Sequence, residues 1–193
     1  MMSLLPGFQT PVQNAQQTFR QLLAALSRPG QIGELAMAMT PPAGLSPSCA
    51  AVCLTLLDLE TTVWLAPELA SAASWLAFHT GCRQATSPQT AAFAVLPAAQ
   101  LPNLDTFFAG SPTDPESGAT LLMQTSQLSG GSPVNLSGPG ILGELTVSPK
   151  VPREFWTWWT ANHQQYPMGV DVFLFSEQAV MGLPRSTRAE VSR

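Results

Sequence analysis

Ionic side chains are scarce in this chain of 193 residues. Asp, Glu, Lys and Arg together make up 10% of the sequence, against roughly 25% in ordinary soluble domains. The eight basic residues form no cluster along the chain, and the net charge is -4. Nucleic-acid binders carry a basic surface that neutralises phosphates, so we exclude nucleic acid as a partner. Because hydrophobic residues make up 45% of the chain, we expect an apolar surface that other proteins cover.

Long apolar runs are also missing, since Pro, Gly, Thr or Asp interrupts each one before the roughly 20 residues that a membrane span requires. The segment Met1–Gly7 lacks the cationic stretch and apolar core of a secretory signal. Cysteine is rare, and Cys49, Cys53 and Cys82 form an odd set that fits reduced thiols in the cytosol. We therefore expect a cytoplasmic protein without membrane contact.

Histidine occurs only at His79 and His163, which limits the possible metal sites. His79 and Cys82 could join Cys49 and Cys53 as zinc ligands, and a zinc protein is one hypothesis. In the hypothesis that we favour, the cysteines of an apolar helix act as small hydrophobic residues. Each histidine then caps the C-terminal end of a helix, where the dipole favours a cation. We therefore expect no metal.

The clearest predicted element is a helix that begins at Thr10-Pro11 and ends at Pro29-Gly30. Thr10 to Gln13 form a capping box with proline at the first helical position, so we expect the Thr10 hydroxyl to accept from the backbone N–H of Gln13. Apolar residues then recur at three- and four-residue steps and share one face of the helix: Val12, Ala15, Phe19, Leu22, Leu23 and Leu26.

Helices and strands are predicted to alternate along the rest of the chain. Further helices are expected at 46–57, 67–81 and 152–164, the last rich in tryptophan. The segment 97–118 is predicted to be a surface connection, and strands are expected at 61–65, 92–96, 119–123, 134–136, 170–175 and 179–183. This order favours one α/β domain over residues 1–193, with a mixed sheet flanked by helices.

Two groups of residues are candidates for anion binding. Arg185 and Arg188 offer guanidinium groups with two intervening hydroxyls, which suits phosphate or carboxylate. The turn Ser129-Gly130-Gly131, like the glycine-rich turn 137–140, offers backbone N–H groups. Neither turn matches the phosphate-loop motif. The alternative for the glycine-rich segments is that they are ordinary turns. The alternative for the arginines is that they belong to a solvated tail or an interface patch.

No combination of nucleophile, base and metal ligand stands out, so the catalytic residues are unknown and activity of the isolated chain is not expected. Asp171 lies within an apolar predicted strand. We expect its carboxylate to accept a hydrogen bond from the backbone rather than to act in catalysis.

Several segments, in this order and at these separations, resemble the PhnH family from end to end. They are Phe19-Arg20 with Ser27–Gly30, Phe78–Thr80, Gly118–Leu121, Leu128–Gly131, Leu136–Ile141, Pro167–Asp171 and Leu183–Arg188.

The resemblance implies a subunit of the carbon-phosphorus lyase core complex, which degrades organic phosphonates. In that pathway a phosphonate displaces adenine from ATP, which yields α-D-ribose 1-methylphosphonate 5-triphosphate when the phosphonate is methylphosphonate. The implied partners are PhnG, PhnI and PhnJ, with a homodimer for the isolated subunit. We expect an accessory role in this transfer. The alternative is a catalytic or nucleotide-binding subunit in which Arg185 and Arg188 hold the anion.

The resemblance also implies a fold similar to that of pyridoxal-phosphate-dependent transferases. Those enzymes bind their aldehyde as a Schiff base with a lysine, and Lys150 is the only lysine here. It lies between two prolines in Ser148–Pro152, which favours an exposed loop. We therefore expect no pyridoxal phosphate and no other cofactor.

Overall fold

The computed structural model describes residues 5–191. Its α-helices are α1 (Pro11–Ser27), α2 (Pro47–Leu56), α3 (Ala73–Thr80) and α4 (Glu154–Gln164). Its strands are β1 (Ile32–Glu34), β2 (Thr62–Leu65), β3 (Arg83–Gln84), β4 (Phe93–Pro97), β5 (Thr120–Gln124), β6 (Val134–Ser137), β7 (Leu145–Val147), β8 (Asp171–Ser176), β9 (Ala179–Leu183) and β10 (Arg188–Val191).

A seven-stranded sheet in the order β1-β9-β8-β5-β4-β2-β3 forms the centre of the fold. The five strands from β8 to β3 are parallel, whereas β9 and then β1 add antiparallel pairs at one edge. The central strands are apolar on both faces because both faces are covered, and Leu121, Leu122 and Met123 of β5 are all fully buried. The mixed sheet flanked by helices that the sequence predicts is therefore confirmed.

The protein also contains a second sheet, which the sequence analysis did not predict. It has three antiparallel strands in the order β10-β6-β7, with Ala189 opposite Leu136 and Leu136 opposite Leu145. Only β6 was expected. The strands β1, β3, β7 and β10 have two to four residues each. Strands this short cannot show a hydrophobic alternation in the sequence. Only their pairing partners in the sheet define them.

Helices α1, α2 and α3 cover one face of the central sheet, and helix α4 with the second sheet covers the other. Leu122 packs in the core formed with α1, α2 and α3. Its neighbours Leu121 and Met123 point to the other face, as alternation in a strand requires, and pack in the core formed with α4 and the second sheet. In α4, Phe155 and Trp159 are fully buried in this second core.

Helix α1 begins where the sequence predicts, but its first turn is capped differently. The Thr10 hydroxyl does not accept from the backbone of the first turn. Instead, the Thr10 N–H and hydroxyl each donate to Oδ1 of Asn14 at 3.0 Å. The predicted capping box with Gln13 is therefore wrong, because the shorter Asn14 amide accepts both bonds. Helix α2, by contrast, has a side-chain cap, since Ser46 Oγ accepts a hydrogen bond from the N–H of Cys49 at 3.2 Å.

The close packing of α1 on β9 depends on Gly182. A Cβ at Gly182 would lie 2.6 Å from the carbonyl carbon and oxygen of Ala25. We expect Gly182→Ala to lower the free energy of unfolding by about 1–3 kcal/mol, because α1 must move away from the sheet. Gly33→Ala is the matched control, since its Cβ would meet no atom closer than 3.7 Å. Urea unfolding measures both, and equal effects would refute this account of the packing.

Candidate functional site

Arg185 binds Asp171 at the start of β8. Nη2 lies 2.7 Å from Oδ2 of Asp171, and Nε lies 3.2 Å from each carboxylate oxygen. The Arg185 N–H donates to Oδ1 at 2.7 Å, and Nη1 donates to the carbonyl of Pro115. The two side chains are only 11% and 22% exposed. The predicted hydrogen bond from the backbone to Asp171 is confirmed, and the Arg185 guanidinium is engaged within the protein.

Helix α4 holds the same region through side chains that the sequence analysis overlooked. Oδ1 of Asn162 accepts from the N–H of Val170 at 2.8 Å, and its Nδ2 donates to the Val170 carbonyl at 3.0 Å. Nε1 of Trp159 donates to the carbonyl of Thr187 at 2.9 Å. Asn162 is one of several polar residues on an aromatic helix, and only its burial against the start of β8 reveals its role.

Each histidine lies beside a main-chain carbonyl of a distant segment. Nδ1 of His163 is 3.1 Å from the carbonyl oxygen of Arg185, and Nε2 of His79 is 3.0 Å from that of Leu5. The His79 ring also contacts Trp75 edge-on, with the ring centroids 4.9 Å apart. These contacts give both imidazoles a structural role in joining segments.

Arg188 has surroundings unlike those of Arg185. It is the first residue of β10, pairs with Ser137 and is exposed. The turn 137–140 lies beside it, because a Cβ at Gly138 would be 3.0 Å from the carbonyl oxygen of Ser186. The structure therefore brings the second glycine-rich turn close to Arg188.

The first glycine-rich turn lies elsewhere and packs on the segment around Lys150. The N–H of Gly131 donates to the carbonyl of Ser148 at 2.7 Å, and the N–H of Gly130 donates to Ser148 Oγ at 3.2 Å. A Cβ at Gly131 would overlap the Pro149 carbonyl. Both N–H groups proposed for an anion are therefore bonded within the protein, and Ser129 is exposed beside them.

A cleft opens at the carboxyl ends of β4 and β5. Its volume is about 650 Å³, and Gln124, Ser132 and Lys150 are among its lining residues. Oε1 of Gln124 accepts from the N–H of Ser46 at 2.6 Å, and its Nε2 donates to the Gly44 carbonyl at 2.9 Å. The carboxyl edge of a parallel sheet is where α/β proteins bind their ligands, so this cleft is the best-placed candidate site.

The three thiols lie inside the protein and are free and buried. A hydrogen bond with Cys53 that favours the neutral thiol, together with burial, raises the pKa of Cys49 well above its ordinary value, and burial raises the pKa of Cys82. These groups are poor nucleophiles, because the thiolate is the reactive form.

Within residues 5–191, no three His, Cys, Asp or Glu side chains are grouped as metal ligands. In the same range, no helix has the length and apolar character needed to cross a membrane.

The Arg185–Asp171 pair is expected to stabilise the fold. Arg185→Gln should lower the free energy of unfolding by about 2–4 kcal/mol, because it leaves the Asp171 carboxylate without its counter-ion. The control Arg188→Gln should change it by less than about 0.5 kcal/mol, because Arg188 is exposed. Denaturant unfolding measures both. Unchanged stability of Arg185→Gln, together with weaker nucleotide binding, would instead support the anion-binding hypothesis.

Comparison with known proteins agrees with the resemblance in the sequence. Residues 6–190 match the model of a family described as bacterial phosphonate metabolism protein (PhnH). A relative from Rhizobium meliloti (strain 1021) is 40% identical over 188 residues, covers 95% of this chain and 94% of its own, and is named α-D-ribose 1-methylphosphonate 5-triphosphate synthase subunit PhnH. HtxG of Stutzerimonas stutzeri, provisionally named a C-P lyase subunit, is 35% identical over 189 residues, which are 93% of this chain and 87% of HtxG. The chain therefore belongs to the PhnH family of bacterial phosphonate metabolism proteins.

Proposed function

We propose that this chain is a subunit of a carbon-phosphorus lyase core complex in organic phosphonate catabolism. In this role it assists the transfer of a phosphonate to the ribose C1 of ATP, with release of adenine. Two relatives that each cover more than nine tenths of the chain carry names from this chemistry. The family match over residues 6–190 supports the same assignment.

The observation that most favours an accessory role is that the polar candidates are engaged in structural bonds. Arg185 and Asp171 bind each other, the glycine N–H groups of the turn at 130–131 bind Ser148, and the thiols are buried. The alternative, in which Arg185 and Arg188 hold the nucleotide, would require Arg185 to leave Asp171 and Pro115. We therefore place the chemical step in the assembled complex and not in this chain alone.

An apolar flank of α1 supports the proposal of protein partners. Val12, Phe19 and Leu23 lie on one side of the helix, and they are 82%, 47% and 53% exposed. Large apolar side chains grouped on one helix flank are typical of a protein interface. We propose PhnG, PhnI and PhnJ as the partners in the complex. For the isolated chain we propose a homodimer in which this flank is covered.

We further propose that the fold is similar to that of pyridoxal-phosphate-dependent transferases, and that the subunit acts in the cytoplasm without a metal or pyridoxal phosphate. A lysine that forms a Schiff base is activated when it is desolvated or lies beside another cation. The side chain of Lys150 is exposed in a loop, which does not fit a shielded aldehyde. Because the chain has no other lysine, no second residue could take that role.

The accessory role predicts that activity depends on assembly. The purified chain with ATP and methylphosphonate should release no adenine above a buffer control, because its candidate groups are engaged elsewhere. Co-expressed PhnG, PhnI and PhnJ should co-purify with it, and the complex should release adenine, measured by chromatography. Adenine release by the isolated chain would refute the accessory role, and failure to co-purify would refute the assignment to the complex.

The homodimer predicts a specific effect on the α1 flank. Leu23→Glu should convert the dimer to a monomer, as measured by light scattering, because a carboxylate would be buried in an apolar interface. The matched control is Gln13→Glu, which adds the same charge to an exposed position of the same helix. Circular dichroism checks that both variants are folded. A dimer that persists in Leu23→Glu would show that this flank is not the interface.

A further inference from the structure

A cavity at the carboxyl edge of the central sheet and a second cavity that adjoins it each carry one cation. The first, of about 650 Å³, is lined by Lys150, and the second, of about 500 Å³, is lined by Arg153. Ser132 and Val151 line both, so the two cavities form one surface, which we call the Lys150–Arg153 groove. None of the residues that line it is acidic. In a chain with net charge -4, this is a local positive surface.

The main chain that carries Lys150 is held in place. The N–H of Lys150 donates to the Gln127 carbonyl at 3.0 Å, and the Thr125 hydroxyl donates to the Lys150 carbonyl. Gly131 binds Ser148 on the other side of the segment. Thr125, Gln127 and Gly131 all follow β5 in the chain, so these bonds join the Lys150 segment to the end of a central strand. The Lys150 side chain remains exposed above this fixed backbone.

The position of the groove in the fold also favours an anionic ligand. The groove lies beyond the carboxyl ends of β4 and β5, where open α/β sheets bind ligands. Helix α4, which has 11 residues, begins directly after Arg153, and the N-terminal end of a helix dipole favours an anion. Glu154 is the acidic residue of that first turn, and it does not line either cavity.

We propose that the Lys150–Arg153 groove binds the triphosphate group of an organic triphosphate. Lysine acts as a point charge on phosphate, and arginine offers a planar fork of donors. Up to about 10 Å of backbone can separate residues three positions apart, so the two cations suit several linked anionic groups. A phosphonate, which has one anionic group, would not occupy both cavities. This inference rests on the proposed function, in which ATP and a ribose 5-triphosphate are substrate and product.

Chemical labelling of Lys150 tests the proposal, because it is the only lysine. The purified full chain is treated with an amine-acylating reagent, with and without inorganic tripolyphosphate, and peptide mass spectrometry reports the modified fraction at Lys150. We expect tripolyphosphate to slow this labelling by about fivefold or more, while the N-terminal amine serves as the internal control. Sodium chloride or methylphosphonate at equal ionic strength should not protect Lys150. Equal labelling in all cases would overturn the proposal.

Charge-removal variants test the same groove by calorimetry with tripolyphosphate. Lys150→Gln and Arg153→Gln should each weaken binding by about tenfold, because each removes a charge-assisted hydrogen bond. The control is Arg20→Gln, an exposed position on α1, which packs on the other face of the sheet and should change binding less than about twofold. An equal loss in Arg20→Gln would show non-specific charge attraction and overturn the proposal.

The outcome separates this inference from the proposed function. The groove variants should still co-purify with PhnG, PhnI and PhnJ, because the apolar flank of α1 is unchanged. Co-purification without protection of Lys150 would refute the groove alone. Protection of Lys150 without co-purification would refute the subunit assignment and leave a triphosphate-binding protein.

Discussion

The bonds between Arg185 and Asp171 connect the C-terminal part of the chain to the first residue of β8. These bonds hold the turn that leads from β9 into β10. Within this turn, the Thr187 carbonyl accepts a hydrogen bond from Nε1 of Trp159 in α4. The second sheet depends on this turn, since β10 pairs with β6 and β6 pairs with β7. A charged pair that is mostly shielded from water is strong when intact and costly when one member is removed. It therefore aligns α4, the second sheet and the central sheet with one another.

The two edges of the central sheet consequently differ in character. At the amino-terminal edge of β8, the charged and amide side chains satisfy one another, and little remains for a ligand. At the carboxyl edge, backbone bonds fix the segment around Lys150 while its ammonium group faces solvent. A fixed backbone with a free cation suits recognition, because little conformational entropy is lost in the main chain on binding. The rest of the surface, poor in charge and apolar on α1, suits contact with other proteins.

How much the sequence could predict depended on the range of the interactions involved. Helix α1 was predicted because its apolar periodicity is local and strong, and strands β4 and β5 because each is a continuous apolar run. The strands β1 and β3 were missed because they are short and mostly exposed, and only pairing with β9 and β2 defines them. The cap at Thr10 failed as a prediction because a neighbouring amide, Asn14, competed for the same bonds. Local patterns cannot rank such competitors.

The sequence alone determined the α/β class, the family and the shortage of ionic groups, because composition, periodicity and ordered motifs are properties of the chain itself. Only the tertiary structure decided what each candidate does. Arg185 was a candidate anion ligand by its type, and in the fold it binds the carboxylate of Asp171, which lies 14 positions earlier. Lys150 was set aside as a loop residue, yet it lines the cleft at the end of β5. A side chain's role follows from the groups that folding places around it, and those groups are distant in sequence.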